Sequence, residues 1–353
     1  MHLDQLGWNP VFAHHFEPYH HSGHVVGRVA LDHRHVYTLY SEYGELPAEI
    51  TGKLHHQATG SQDFPVVGDW VVMQLRDEAT RASIHAILPR MSQLSRKAAG
   101  DKTDEQVLAA NIDTVFLICG LDGDFNSRRI ERALVLIRAS GANPVIILNK
   151  ADLCDTPHPY ILDVEAIAQG TPVIALSALY DPCLSALDPY LQVGKTIVLL
   201  GSSGVGKSTL ANQLMGQDVQ AVQAVRHRDD RGQHTTTHRE LFCLPSGALL
   251  IDTPGIRELQ LWASEAHVDE TFAELEAWTG QCRFRDCRHL HEPGCAVQAA
   301  ISSGELDEQR FLNYQKLQRE QAYLKQRQDH LAQAQSKAKR KQLSKAMRRH
   351  PKR

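Results

Sequence analysis

The spacing of apolar and polar positions divides this chain into segments of different texture. Residues 23–90 hold short alternating runs: HVVGRVAL, HVYTLY, LPAEITGKL, DWVVMQL and RASIHAIL. Turn residues separate them, notably Gly44, Gly60 and Gly68. A period of two sends successive side chains to opposite faces, which marks half-buried strands. Five such strands predict a small β-barrel over 23–95, and five is the strand count of an OB-fold. Ahead of it, residues 1–22 carry His14, His15, His20 and His21 and are expected to form a flexible, solvated arm. The segment LPRMSQLSRKAAG (88–100) reads as a basic connector.

From 101 to 262 the pattern becomes apolar runs alternating with helical spacing. NIDTVFLICG, NPVIILNKAD, PVIALSAL, KTIVLLGSSG and ALLIDTPG are strand-like, and SRRIERALVLIRASG has helical period and ends at Gly141. Such alternation predicts an α/β domain with a largely parallel sheet. Residues 263–330 read as mostly helical. Over 304–335 apolar residues recur at helical spacing: Leu306, Phe311, Leu312, Tyr314, Leu317, Tyr323 and Leu324. Residues 331–353 form a basic tail. The expected fold is multidomain: a flexible arm (1–22), an OB-fold barrel (23–95), an α/β domain (101–262), a mostly helical domain (263–330) and the tail.

Composition narrows the function classes. With 42% apolar and 22% charged residues over 353 positions, the chain is globular rather than disordered. A formal net charge of −3 excludes a uniform polycation. No apolar run reaches the length of a membrane span. The start, MHLDQLGWNPVFAHHF, lacks a basic stretch followed by an apolar one, so no secretory signal is expected. A cytoplasmic protein without membrane contact is the expectation.

The chemistry is concentrated in motifs. Gly201, Ser202, Ser203, Gly204, Val205, Gly206, Lys207 and Ser208 match G-x-x-x-x-G-K-[ST], between the apolar strand TIVLL and the helical STLANQLMG. Backbone N–H groups of such a loop close around phosphate oxygens, and the helix N-terminus adds positive potential. Lys207 is expected to reach the β- and γ-phosphates and Ser208 to ligate Mg²⁺, with Thr209 beside them. Asn149, Lys150, Ala151 and Asp152 form N-K-x-D, the guanine-reading pattern of GTPases. A carboxylate at Asp152 accepts two hydrogen bonds from guanine that adenine does not offer in that place. Ser177, Ala178 and Leu179 resemble the short loop that contacts the guanine carbonyl. Asp252 opens D-T-P-G, where a carboxylate can hold a Mg²⁺-bound water and Gly255 can offer its N–H to the γ-phosphate.

The polar stretch RHRDDRGQHTTTHREL (226–241) has the makeup of a switch loop. One of Thr235, Thr236 and Thr237 is expected to ligate Mg²⁺, with Thr236 the chosen candidate. His234 is a candidate to position water. Ile256 stands near where many GTPases place a glutamine, so basal hydrolysis should be slow and need help. The base-reading motifs precede the phosphate loop, which is the reverse of most GTPases. A circularly permuted domain explains that order, and sends D-T-P-G directly into the C-terminal region. There, Cys282, Cys287, His289 and Cys295 supply three thiolates and an imidazole, a set suited to one structural Zn²⁺. His291 is a rival fourth ligand.

Taken together, these residues resemble the RsgA (YjeQ) family. The likeness spans about residues 23–300. It includes Val67, Gly68, Asp69 and Trp70; Arg90, Ser92, Leu94 and Arg96; and Asn111 and Asp113 leading into DFNSRRIER. It continues through Asn149–Asp152, GSSGVGKST, GQHTTT, DTPGIREL and the cysteine–histidine spacing. The resemblance implies an OB-fold, a circularly permuted P-loop GTPase domain and a zinc domain. It implies GTP/GDP as ligand, binding to the small ribosomal subunit and its rRNA in late maturation, and subunit-stimulated hydrolysis. It favours His289 as the zinc ligand and points to His234, with Lys207, as catalytic. A monomer is expected. The arm departs from the family in being histidine-rich rather than basic, whereas the basic tail suits attachment to rRNA. The alternatives are a permuted GTPase acting on another RNA or protein, and an RNA-binding protein with a vestigial nucleotide site.

Overall fold

The computed structural model describes all residues except 21, 34–35, 98–104, 123–124, 182–183, 217–238, 253–270, 291, 321, 324–325 and 327–353. The chain forms two compact units, Met1–Lys97 with Asp104–Trp262, and Ala98–Thr103 with Ala263–Arg353. Among the described residues no helix is long and apolar enough to cross a membrane.

The N-terminal segment corrects the expectation of a flexible, solvated arm. A 3-10 turn over Leu3–Leu6 leads into α1 (Pro10–His20). Leu6 and Phe12 are buried in the first core. Trp8 stands edge-on to Trp70 at 4.7 Å and stacks on Phe12 at 5.9 Å. Phe12 and Phe16 lie four apart on α1 and so share one face, and Trp8, ahead of the helix, packs its ring against both. His14, His15 and His20 take the exposed side. Burial of the aromatic face, not the histidine content, decides the conformation.

Five strands form the barrel: β1 (Val25–His33), β2 (Val36–Ser41), β3 (Gly44–Ile50), β4 (Trp70–Arg76) and β5 (Arg81–Ile87). After β3, α2 (Gly52–Gln57) starts under the Thr51 hydroxyl, which accepts from Leu54 N. The hydrogen-bonded order is β1-β2-β3-β5-β4, and β4 pairs back onto β1 to close the barrel. Val29, Leu39, Leu46, Val71, Met73 and Ile84 fill it. The connector at 88–100 is not wholly loop. Its second half is β6 (Gln93–Lys97), antiparallel to β7 (Glu105–Ala110), and Leu94, Val107 and Leu108 are buried.

The α/β sheet contains β8 (Thr114–Gly120), β9 (Asn143–Asn149), β10 (Val173–Ala175), β11 (Thr196–Leu200), β12 (Arg239–Cys243) and β13 (Leu249–Asp252). Its order is β10-β9-β8-β11-β13-β12, with β12 antiparallel to β13 and the other neighbours parallel. Both faces are covered by apolar cores, so the strands read as continuous apolar runs. The helices are α3 (Ser127–Ala139), α4 (His158–Ala168) and α5 (Lys207–Met215). The Asn126 side chain caps α3, and Ile130, Ala133, Leu134 and Ile137 form its buried face.

Barrel and sheet are continuous, since the end of β1 pairs with β12 through Leu31↔Glu240 and Asp32↔Arg239. Several residues quoted for the resemblance sit where the barrel meets the sheet, and Ser92, Asn111 and Asp113 line a cleft there together with Arg28. Arg28, 1% exposed, donates to the carbonyls of Leu6 (2.5 Å), Gly68 (3.2 Å) and Asn111 (2.9 Å). Burial lowers its pKa to about 10. Gly68 has φ +92, and a Cβ there would meet Ala110 O at 2.1 Å. Arg90 grips the buried Asp69 carboxylate through Nε and Nη2, each at 2.8 Å. Asp113 accepts from Thr196 N and Lys195 Nζ at 2.9 Å, fastening β11 to β8.

The second unit contains α6 (Ala273–Thr279), α7 (Ala296–Ser303) and a helix over 308–320. Phe272, Leu275, Val297, Ala300, Phe311, Tyr314 and Leu317 are buried. Of the other apolar positions read along 304–335, Leu306 is buried, while Leu312 and Tyr323 are exposed. The tail over 331–353 lies outside the described residues.

Candidate nucleotide site and metal centre

In an open parallel sheet, ligands bind beyond the carboxyl ends of the strands. There β9 runs into Asn149–Asp152, β10 into Ser177–Leu179, β11 into the phosphate loop, and β13 ends on Asp252. The phosphate loop needs its glycines. Gly201 (φ +153) has no room for a Cβ, which would meet Ile118 O at 2.3 Å. At Gly206 (φ +99) a Cβ would lie 2.1 Å from Asn149 Nδ2. Val205 is buried and anchors the loop in the core, while Ser203, Gly204 and Ser208 are exposed. The Lys207 ammonium donates to Gly201 O (2.9 Å) and Ser202 O (2.6 Å), so the cation sits within the curve of the loop. Lys207, Ser208 and Thr209 form the first turn of α5, whose N–H groups have no partner within the helix.

Asn149 ties three loops together. It is 3% exposed; its Nδ2 donates to Val205 O at 2.7 Å, and its Oδ1 accepts from Ala178 N at 2.8 Å. Lys150 follows in the left-handed region (φ +62), and its ammonium pairs with Asp122 at 2.5 Å. Ala151 and Asp152 lie in a short 3-10 turn, with Asp152 exposed. Ser177 N donates to Asp181 Oδ2 at 2.6 Å, which shapes the third loop. Ala178, Leu179, Thr209 and Asn212 line a cleft of about 690 Å³.

Asp252 stands directly opposite Glu240 across β12 and β13. Burial and the Glu240 charge push its carboxyl up, and the Lys207 cation opposes them. A half-buried carboxylate disfavoured by burial and by Glu240, and relieved in part by the Lys207 cation, would be relieved further by a divalent cation. Thr236, His234, Gly255 and Ile256 lie outside the described residues.

In the second unit, the ligand atoms of Cys282, Cys287, His289 and Cys295 lie within 4.8 Å of one another. Cys282 Sγ is 3.9 Å from Cys295 Sγ, and His289 Nδ1 is 3.5 Å from both. A tetrahedron with Zn–S near 2.3 Å and Zn–N near 2.0 Å requires S···S of about 3.8 Å and S···N of about 3.5 Å. The donor set fits zinc. The backbone keeps His289 at φ +59, and Gln298 Nε2 fastens its carbonyl at 2.7 Å. His291, the rival ligand, lies outside the described residues.

Comparison with known proteins places this geometry. The RsgA GTPase family model matches residues 87–262. A small ribosomal subunit biogenesis GTPase RsgA from Opitutus terrae is 49% identical over 93% of this chain and 92% of its own length. The chain belongs to the RsgA GTPase family. It is therefore a GTP-hydrolysing enzyme that binds GTP and GDP. The RsgA of Syntrophotalea carbinolica is 44% identical over 97% of this chain and 96% of its own. Among solved structures, YjeQ from Thermotoga maritima superposes with a TM-score of 0.61 at 27% identity, covering 85% of this chain and 99% of that one. YloQ, titled a circularly permuted GTPase, gives 0.58 at 26% identity, covering 88% and 98%. An ABC transporter model also matches 184–351, a span that includes the phosphate loop common to both groups. Reading by motif missed Asp122, and it covered Arg129 (in DFNSRRIER) and Glu240 (in the stretch 226–241) without placing either at the nucleotide site. Asp122 comes from the turn after β8, Arg129 from the first turn of α3 and Glu240 from β12, and each meets a partner at least twelve residues away in sequence.

Proposed function

We propose that this GTPase acts on the small ribosomal subunit late in its maturation, hydrolysing GTP to GDP and phosphate when the subunit stimulates it. The observation that carries the reading is the Asn149 clasp. It gathers the base-reading, phosphate and Ser177–Leu179 loops of a GTPase into one site, in a chain whose full-length relatives are named for small-subunit biogenesis. Asp152 reads guanine, Ala178 borders the base, and the N–H groups of Gly201–Thr209 cradle the phosphates. Lys207 leaves its loop carbonyls for the β- and γ-phosphates. Ser208 and Asp252 would hold Mg²⁺, which when bound offsets charge on the transferring phosphoryl group. Thr236 and Gly255 complete the contacts to the cation and γ-phosphate, and His234 orients the attacking water. Cys282, Cys287, His289 and Cys295 hold one structural zinc. The barrel and the zinc unit contact rRNA, and the enzyme works as a cytoplasmic monomer.

Turnover with and without purified small subunits tests this. At least tenfold stimulation is expected, and His234→Ala should lose it while keeping GDP affinity. Unstimulated turnover would refer the enzyme to another RNA or protein partner.

A further inference from the structure

The segment leaving β8 touches both halves of the nucleotide site. Leu121 N donates to Asn149 O at 2.8 Å, beside the base-reading loop. One residue on, Asp122 Oδ2 accepts from Lys150 Nζ at 2.5 Å. Seven residues further, Arg129 Nη1 donates to Ser202 Oγ at 2.9 Å, in the phosphate loop. Gly120 makes the first of these side-chain contacts possible, because a Cβ there would lie 2.8 Å from Asp122 Oδ1.

The Asp122–Lys150 pair has a consequence for base recognition. Lys150 occupies the left-handed region at φ +62, which a lysine adopts at a cost of about 1 kcal/mol. Its side chain is thus anchored at both ends, by this backbone and by the carboxylate. A lysine whose ammonium is held elsewhere can offer its methylene stem as an apolar surface. We propose that Asp122 is a positioning residue for the nucleotide: it holds the Lys150 ammonium so that the stem forms one wall of the guanine slot. This rests on reading Asn149–Asp152 as the base-reading loop. Lys150 and Asp122 side chains are 28% and 29% exposed, so water screens the pair in part and its loss has a limited effect.

The competing role is that the pair merely staples the loop. The two roles differ at Asp152, two residues from Lys150. A wall against the ring face serves guanine and hypoxanthine equally. A slack loop would displace Asp152, which alone reads the exocyclic amine that hypoxanthine lacks. The test measures GDP and IDP affinity and GTP turnover for full-length wild type, Asp122→Asn, Lys150→Ala, the double variant and Asp152→Asn. Asp122→Asn should weaken GDP and IDP by the same factor, about three- to fivefold, and the loss should fall on KM rather than kcat. In the Lys150→Ala background the Asp122 change should add nothing. Unchanged affinity, an effect that persists without Lys150, or a lost preference for GDP over IDP would each overturn the proposal. Asp152→Asn separates the two levels. If it keeps the GDP preference, the base-reading assignment fails, whatever Asp122 does.

Discussion

Replacing Gly206 by alanine should damage the nucleotide site through a residue that is 57 positions away in sequence. A Cβ at Gly206 would lie 2.1 Å from Asn149 Nδ2, so the Asn149 amide must rotate away. That amide is buried, and rotation breaks its bonds to Val205 O and from Ala178 N. Each bond is worth about 1 kcal/mol net. Alanine at φ +99 adds about 1 kcal/mol of backbone strain. The sum, about 3 kcal/mol, corresponds to roughly a hundredfold in affinity if it falls on binding. Asn149→Ala removes the same two bonds without strain and should cost about 2 kcal/mol, or roughly thirtyfold. Calorimetric GDP titration at fixed Mg²⁺ measures both, with thermal unfolding to show how much of the penalty falls on folding instead. The reasoning is refuted if Gly206→Ala binds GDP within threefold of wild type and melts normally, because the clasp would then be dispensable.

Three further outcomes are expected. Asp252 has a raised pKa from burial and Glu240, so its stabilising contribution is present below the ordinary carboxylate range and is lost as pH rises through the raised value. Asp252→Asn should therefore raise the melting temperature of the nucleotide-free protein at pH 7 by about 1–3 °C while abolishing turnover; a lower melting temperature would contradict this. Purified protein should carry one zinc per chain by emission spectrometry, and chelation should expose residues 271–320 to protease, since a closed four-ligand site contributes folding energy; substoichiometric metal with an unchanged digestion pattern would count against it. Phe12→Ala should destabilise the first unit by about 3 kcal/mol, whereas His14→Ala with His15→Ala should leave its melting curve unmoved; equal, negligible effects would restore the solvated arm.

Local patterns by themselves determined much of this protein. Five alternating runs became the barrel, and the apolar runs of the α/β domain became its parallel strands, because side-chain period is a property of near neighbours. Contiguous motifs were legible for the same reason: a phosphate loop is built from consecutive N–H groups, and Cys282–Cys295 close on one point within a short segment. At the N-terminus, burial of Phe12 with Trp8 and Phe16 packed against the same core outweighs the preference of the neighbouring histidines for solvent. Other features required the strand order. Arg28 meets carbonyls 22, 40 and 83 residues away. Asp122 and Lys150 are 28 apart, and Arg129 and Ser202 are 73 apart. The last two pairs exist because β8 lies between β9 and β11, so the turn and helix that follow it border the loops after both neighbours. Arg28 instead reaches its carbonyls from β1, which closes the barrel on β4. In each case strand pairing, not spacing along the chain, brings the partners within reach.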